Sequence, residues 1–159
     1  MKNMKIWSLA IMFILALTAC EKNPNNQNNG PTPGPGSTEI VNEWAITSWN
    51  GAEPAFNVYI DFNADGTFSM YQQVYSLDYV LYTGKYTVSG DILSGTYADG
   101  SNWQCAYKVS VTNNNGVDEM TLVSQEDVSI VSVYVNQAIP EDIKAEAAET
   151  RAMDVVRFL

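Results

Sequence analysis

Hydrophobic and polar residues alternate with period two along most of the chain after residue 40. The clearest example is residues 103–112, where one face carries Trp103, Cys105, Tyr107, Val109 and Val111. This alternation predicts a strand with one buried face. Short turn sequences separate similar runs near 43–50, 56–63, 67–73, 79–88, 91–98, 117–124 and 129–136. Eight strands with short connections predict an antiparallel up-and-down meander.

Residues 61–72 read DFNADGTFSMYQ and open like a calcium-binding EF-hand loop. Such a loop needs a bidentate acid at its twelfth position and a helix on each side. The twelfth residue here is Gln72, and both flanks alternate at period two. A three-residue loop at 64–66 instead pairs Phe62 with Phe68 and puts Gly66 where a left-handed residue is required. We therefore expect a hairpin and no metal site.

Another hairpin is predicted within residues 82–97, YTGKYTVSGDILSGTY. If Ser89 and Gly90 form its two-residue turn, Tyr86 faces Leu93 and Gly84 faces Gly95. Paired glycines inside strands permit the sharp bend that a barrel needs at a corner.

The pattern changes after Asn136 to IPEDIKAEAAET, where Pro140 suits a first helical turn and acidic residues follow it. These features predict a short helix. The stretch at 153–159, MDVVRFL, predicts a last strand that closes against the first. The expected fold is therefore all-β: an eight-stranded antiparallel up-and-down barrel with a short C-terminal helix and a closing strand.

Residues 1–19 have the layout of an export signal, with Lys2 and Lys5, an apolar run at 6–17, and then Leu-Thr-Ala before Cys20. The apolar run is too short to cross a bilayer as a helix. Its ending resembles the lipobox of bacterial lipoproteins, which implies cleavage before Cys20 and thioether lipidation of that residue, with acyl chains such as palmitate. An ordinary secretory peptide is the alternative.

Residues 20–38 follow as a tether of Asn, Pro and Gly that has no apolar surface to bury after Cys20, and residues 39–159 form one domain. Cleavage before Cys20 moves the formal charge from −10 to −12. A chain this acidic repels phosphate backbones, and nucleic acid is therefore not an expected partner. Contact with the membrane is expected to come from the lipid chains. Cys105 is then the only free thiol, which excludes an intramolecular disulfide.

Three stretches resemble the lipocalin fold, and most closely the lipocalin-like domains of Bacteroidota lipoproteins: IDFNADGTF, YTGKYTVSGDILSGTYADGSNW and VVRFL. The resemblance covers nearly all of residues 40–159 and implies a barrel that starts near Trp44. Asn42 stands where lipocalins have the Gly of Gly-x-Trp, and the family's Thr-Asp-Tyr has no match. Arg157 is the candidate for the arginine that covers the first-strand tryptophan.

The sequence offers few candidate catalytic residues, because it has no histidine. Cys105 shares a strand face with Trp103 and Tyr107, so we expect a buried, inert thiol. The acidic pairs sit mostly at predicted turns, where a carboxyl lacks the shelter that acid catalysis needs: Asp61 with Asp65, Asp118 with Glu119, and Glu126 with Asp127. We expect no enzyme activity and no cofactor.

Aromatic residues are the stronger signal, since six tyrosines fall between residues 59 and 86. They could line a ligand surface at the barrel mouth or simply form stabilising cross-strand pairs. The expected ligand residues are Tyr71, Tyr75, Tyr79, Tyr82 and Trp103. Against an open interior stand the large side chains of the inward set, which favour a filled barrel.

The leading interpretation is a lipid-anchored outer-membrane protein, on the periplasmic side or the cell surface, that binds a small apolar or amphipathic molecule or a glycan without enzymatic activity. The alternative is a structural subunit whose filled barrel docks another envelope protein. A hydrolase would need two carboxylates that converge in one cleft.

Overall fold

The computed structural model describes residues 39–74, 76–149 and 156–159. The signal peptide, Cys20, the tether, Tyr75 and residues 150–155 lie outside the described residues. The strands are β1 (Glu43–Trp49), β2 (Asn57–Phe62), β3 (Thr67–Gln73), β4 (Val80–Ser89), β5 (Ile92–Tyr97), β6 (Tyr107–Asn114), β7 (Val117–Ser124) and β8 (Val131–Asn136). One helix follows them, α1 (Glu141–Glu149). No helix in the described part of the chain is long and apolar enough to cross a membrane.

Each strand pairs antiparallel with its neighbours in sequence, and β8 pairs with β1, so the sheet is a closed barrel. The predicted eight-stranded up-and-down barrel is confirmed. Two of its turns, Asn50-Gly51 and Asn115-Gly116, have positive φ at both residues. That backbone matches the twist of the flanking strands, which explains why Asn-Gly marks hairpins so well.

The hairpin between β2 and β3 has the predicted register, with Phe62 opposite Phe68 and Val58 opposite Gln72. The Asn63 N–H donates to the Thr67 carbonyl at 2.9 Å, and Gly66 adopts a φ of 81°. The EF-hand-like sequence is therefore a three-residue turn.

The register predicted for the β4–β5 hairpin is wrong by two residues. Gly84 lies opposite Tyr97 and Tyr86 opposite Gly95, so each glycine pairs with a tyrosine instead of with the other glycine. The turn is Gly90-Asp91, in which Gly90 alone has positive φ. A two-residue turn of this type needs glycine at its first central position, which is why Ser89 stays in the strand.

Strand β6 begins at Tyr107, four residues later than the alternation at 103–112 predicts. It pairs with β5 at only two positions, Ile92 with Lys108 and Leu93 with Tyr107. The chain before it crosses the remaining gap, where the Trp103 N–H donates to the Gly95 carbonyl at 3.0 Å. Residues 103–106 keep the period-two pattern because they follow the barrel wall, although they belong to no strand.

Side chains fill the barrel interior, as the size of the predicted inward set indicated. The buried set includes Trp44, Ile60, Phe62, Phe68, Met70, Tyr82, Tyr86, Leu93, Met120, Leu122 and Tyr134. Trp44 donates from Nε1 to the Ile40 carbonyl at 2.8 Å near the end of the barrel that holds the 63–66 turn.

Helix α1 is confirmed, and it packs outside the barrel against β3 and β4. Its buried contact is an apolar cluster of Tyr71, Tyr79, Ile139 and Ala147, with Tyr59, Leu81 and Ile143 around them. An ion pair also ties it to β1, with Lys144 Nζ 2.9 Å from Glu43 Oε1.

The predicted closing strand at 153–159 is wrong in its described part, because residues 156–159 belong to no strand. Pairing of β8 with β1 already closes the sheet, which leaves no edge for another strand to join.

Candidate functional site

Four connections meet at one end of the barrel: residues 50–56, 74–79, 98–106 and 125–130. We call this end the mouth. Residues Val156–Leu159, the plug segment, enter it and reach the interior, where Leu159 is fully buried. The mouth is therefore the part of the barrel at which a peptide segment already occupies the interior.

Aromatic rings hold the plug segment on one side. Phe158 packs against Trp49 and Phe56, with ring centroids 4.9 and 5.5 Å apart. Both partners flank the first mouth connection, one at the end of β1 and one just before β2. The Leu159 carbonyl accepts a hydrogen bond from the Tyr97 hydroxyl at 2.7 Å.

Gln72 binds the backbone of the plug segment at two points. Its Nε2 donates to the Val156 carbonyl at 2.9 Å, and its Oε1 accepts from the Phe158 N–H at 2.9 Å. The side chain is 1% exposed. A buried amide is stable only when its polar groups are bonded, so the position of Gln72 depends on these two bonds.

Arg157 is fixed by charge and by aromatic faces. Its Nη2 lies 2.5 Å from Asp99 Oδ2, and its Nη1 donates to the Ser101 hydroxyl. The guanidinium carbon lies 4.4 Å from the ring centroid of Tyr97 and 5.3 Å from that of Tyr82. Hydrogen bonds from Arg157 and Ser101 hold the pKa of Asp99 well below its usual range.

That placement corrects the expectation that Arg157 covers Trp44. Arg157 lies at the mouth, and Trp44 lies near the other end of the barrel. The sequence could not show this, because residues 156–159 run into the barrel instead of along its outer wall.

Beside the plug segment lies a cavity of about 300 Å³. Its apolar walls are Trp49, Phe56, Val74, Tyr107, Ile130, Val156 and Phe158. Its polar walls are Gln104, Cys105, Ser124, Glu126, Asp127 and Arg157. Arg157, the one cation among these wall residues, is paired with Asp99. Glu126 and Asp127 therefore have no cationic partner within the described cavity wall.

Cys105 packs against the core but is only half-buried, and it lines this cavity, so the expected buried thiol is found only in part. Its Sγ lies 3.3 Å from the Ser124 hydroxyl. The segment before β6 turns at this point instead of continuing as a strand, and this exposes one side of the thiol to the cavity.

The five residues expected to bind a ligand do not share one surface. Tyr71 and Tyr79 lie outside the barrel under α1, where burial, Tyr59 and Glu146 raise the pKa of Tyr79 to about 12. Tyr82 and Trp103 are buried in the interior core. Tyr75 lies outside the described residues. Two of these tyrosines pack against the helix and one lies in the interior, whereas the cross-strand alternative had them stabilise the sheet.

Most mouth residues were missed by sequence reasoning. Trp49 and Phe56 were not among the residues expected to bind a ligand, and Gln72 was considered only as the missing twelfth ligand of a metal loop. The one available signal was the place of Gln72 on an otherwise apolar strand face, since a lone buried amide needs a partner.

The carboxylates near turns serve the turns themselves. Asp65, Asp99 and Asp127 each accept hydrogen bonds from the N–H and hydroxyl of the Ser or Thr two residues later. These bonds lower the pKa of Asp65 and Asp127. Within the described ranges, no group of three or more Cys, Asp or Glu residues is arranged to hold a metal ion.

A family model for a lipocalin-like domain matches residues 40–115, which span β1 to β6. No curated protein matches the chain. Strands β7 and β8 complete the barrel beyond the matched region. The family match over residues 40–115 and the closed eight-stranded antiparallel barrel together show a lipocalin-like fold.

Proposed function

We propose that the protein is a non-enzymatic binding module that takes a small amphipathic molecule at the barrel mouth. The observation that carries this proposal is the mouth cavity of about 300 Å³, which has aromatic walls on one side and polar walls on the other. Ligand sites combine an apolar lining with a few polar groups that fix orientation. A lipocalin-like barrel is typically a binding fold, and this supports the same assignment.

The polar side of the cavity favours a particular ligand charge. Glu126 and Asp127 line it, and the guanidinium of Arg157 is paired with Asp99. A cationic or neutral head group is therefore favoured over an anionic one. Trp49 meets the rings of Phe56 and Phe158 edge to face, and the rings of Phe56 and Phe158 are tilted by 52° to each other. That geometry favours an apolar chain more than a sugar, which stacks on one open face.

The acids at the mouth support the non-enzymatic part of the proposal. Glycoside hydrolysis needs one carboxyl with a raised pKa beside a second carboxylate. The pKa of Asp127 is lowered by its hydrogen bonds to Ser129. The carboxyl with a raised pKa, Asp61, belongs to β2 on the outer face near Glu43.

Two probes with the same alkyl chain and opposite charge test the proposal. Dodecylamine and dodecanoate are titrated below their micelle concentrations while tryptophan fluorescence is followed, because Trp49 lines the cavity. We expect saturable binding of dodecylamine and weaker binding of dodecanoate. Ile130→Asn should abolish the binding of dodecylamine, whereas Val128→Asn, in the same loop but outside the cavity wall, should not. Equal loss in both variants, or no saturable binding, contradicts the proposal.

Native mass spectrometry of the protein from its own host is the second test. A bound small molecule of constant mass, lost in Ile130→Asn, supports the assignment. Recovery of the bare polypeptide alone, while a control lipid binder keeps its lipid, counts against a tightly held ligand.

We also propose that the domain is attached to the outer membrane through lipidated Cys20, by the tether at residues 20–38. The resemblance to lipoproteins of Bacteroidota stays a prediction. Labelling of cells with palmitate should mark the wild type and Cys105→Ala but not Cys20→Ala. Protease treatment of intact cells then distinguishes the cell surface from the periplasmic side.

A second candidate, docking of another envelope protein, is favoured by exposed apolar side chains around the mouth. Leu77, Val128 and Val156 are 92%, 75% and 62% exposed, and all three belong to mouth segments. Exposed apolar groups of this kind mark contact surfaces when they are clustered. A cross-linked partner lost in Leu77→Asp and in Val128→Asp, but not in Val117→Asp, would support docking. Its retention in both mouth variants would exclude this surface.

A further inference from the structure

The plug segment is bound in the way a peptide ligand is bound. Every hydrogen bond from the rest of the described chain to the backbone of residues 156–159 comes from a side chain. The donors and acceptors are Gln72, Gln104 and Tyr97. The segment extends no strand, so its contacts resemble those of a docked ligand more than those of a ninth strand.

Two of these side chains recognise backbone and not sequence. Gln72 bonds the carbonyl of one residue and the N–H of the residue two positions later. Gln104 donates from Nε2 to the Arg157 carbonyl, 2.7 Å away, between those two points. Any extended tripeptide can offer the same three groups, so this part of the site sets the path of a bound chain.

Three further contacts recognise side chains in order along the chain. Arg157 meets a carboxylate and two tyrosine faces, a combination suited to a guanidinium. Phe158 enters the ring pair of Trp49 and Phe56. Leu159 is buried in the core. The site therefore specifies arginine, an aromatic residue and an aliphatic residue at successive positions.

We propose that the mouth is a peptide-binding site for an extended Arg-aromatic-aliphatic sequence supplied by another protein, and that the plug segment is its resident occupant. This inference rests on the proposed function, because Val156, Arg157 and Phe158, whose place the peptide would take, line the cavity of the mouth. An occupant on the same chain competes at high effective concentration, so the site takes a foreign peptide only when the plug segment is displaced.

The test uses the full chain with a weakened plug segment, Arg157→Ala combined with Leu159→Ala, which we call the released variant. The probe is a fluorophore-labelled peptide, Val-Val-Arg-Phe-Leu, followed by fluorescence anisotropy. We expect saturable binding to the released variant and binding at least about tenfold weaker to the wild type. Near-ultraviolet circular dichroism checks folding. If the double variant unfolds, Arg157→Ala alone replaces it and should bind more tightly than the wild type.

A double-mutant cycle isolates the arginine pocket. The second peptide is Val-Val-Ala-Phe-Leu, and Asp99→Ala is added to the released variant. Asp99→Ala should weaken the arginine peptide about tenfold and leave the alanine peptide nearly unchanged, because the ion pair is lost in one case only. Gln72→Met, of similar shape, should weaken both peptides alike.

The peptide proposal is overturned if a folded released variant binds no peptide, or if the scrambled Leu-Arg-Val-Phe-Val binds equally well. Dodecylamine separates this failure from that of the proposed function. Binding of dodecylamine without binding of peptide removes only the peptide assignment. Loss of both removes the mouth as a binding site altogether.

Discussion

Gly95 and the side chain of Trp103 lie in direct contact in the barrel wall. A Cβ added at Gly95 would lie 2.3 Å from Cε2 of the Trp103 ring. The indole also packs against Phe68, with ring centroids 5.2 Å apart. Glycine at this position therefore makes room for the side chain that covers the short β5–β6 pairing, and the aromatic contact offsets the usual weakness of glycine in a strand.

We expect Gly95→Ala to lower the free energy of unfolding by about 1–3 kcal/mol, since the new methyl group must displace the indole. Urea unfolding followed by tryptophan fluorescence measures the change. Ser94→Ala, at the neighbouring outward position, is the control and should change stability by less than about 0.5 kcal/mol. In a Trp103→Leu background, Gly95→Ala should lower the free energy of unfolding much less than it does in the wild type. Additive losses from the two substitutions would contradict the clash.

Asp61 lies at a position where the fold disfavours its ionised form. Burial and the nearby Glu43 raise the pKa of Asp61, although Lys144 acts in the opposite direction. Because the folded pKa lies above the unfolded one, the fold favours the protonated carboxyl. The ionised form at neutral pH is therefore a net cost.

Asp61→Asn should accordingly raise stability at pH 7, by less than about 1 kcal/mol for a partly exposed group. The gain should shrink as pH falls and the wild-type carboxyl takes up its proton. Denaturant unfolding at several pH values gives the comparison. A gain that grows towards acid pH would show that the sign is wrong.

At the scale of elements, α1 is held by its apolar face, by one ion pair and by Glu146, which accepts from the Tyr79 N–H at 2.9 Å. Tyr71 and Tyr79 form the apolar contact with Ile139 and Ala147. Glu43 accepts from Lys144 Nζ and, at 2.7 Å, from the Ile139 N–H. Burial alone would raise the pKa of Glu43, but these hydrogen bonds and the charge of Lys144 outweigh it and lower the pKa. The carboxylate therefore stabilises helix docking in its ionised form.

Lys144→Gln should destabilise the protein by about 1 kcal/mol at pH 7, because Glu43 loses its charged partner while half-buried. The folded pKa of Glu43 lies below its ordinary value of 4.5, so this contribution is present above that value and is lost as pH falls below it. Thermal melts at pH 7 and under acid conditions measure the difference.

Lys108→Gln is the matched control for that change, because Lys108 pairs with Asp91 across more exposed side chains. Exposed ion pairs contribute little, so this variant should lose less than about 0.5 kcal/mol. Equal losses of stability in the two variants would show that the Lys144–Glu43 ion pair contributes no more than an exposed pair.

For the whole molecule, the plug segment acts as part of the core. Leu159 belongs to the same buried cluster as Trp44 and Tyr134, although it enters from the far end of the sequence. Strands β1 to β8 close the wall, and residues 156–159 complete the packing at the mouth. Stability and access to the mouth are therefore coupled through these four residues.

Leu159→Ala should lower the free energy of unfolding by about 2–4 kcal/mol, the usual cost of a cavity left by a buried leucine. Val156→Ala is the control, since its side chain is 62% exposed, and should change stability by less than about 0.5 kcal/mol. The same samples can be tested with a thiol reagent. Cys105, in the cavity wall, should react faster with this reagent in Leu159→Ala than in the wild type.

The sequence by itself determined the eight strands, the helix and the β2–β3 register, because period-two burial and turn chemistry are local properties. The tertiary structure decided what no local pattern carries. Tyr71 and Tyr82 both read as aromatic strand residues, yet one lies under α1 and the other inside the barrel. Barrel closure by β8 and β1 turned the expected closing strand into a plug segment and gave Gln72 its two backbone partners. These contacts join residues more than eighty positions apart, so they exist only once the sheet has closed.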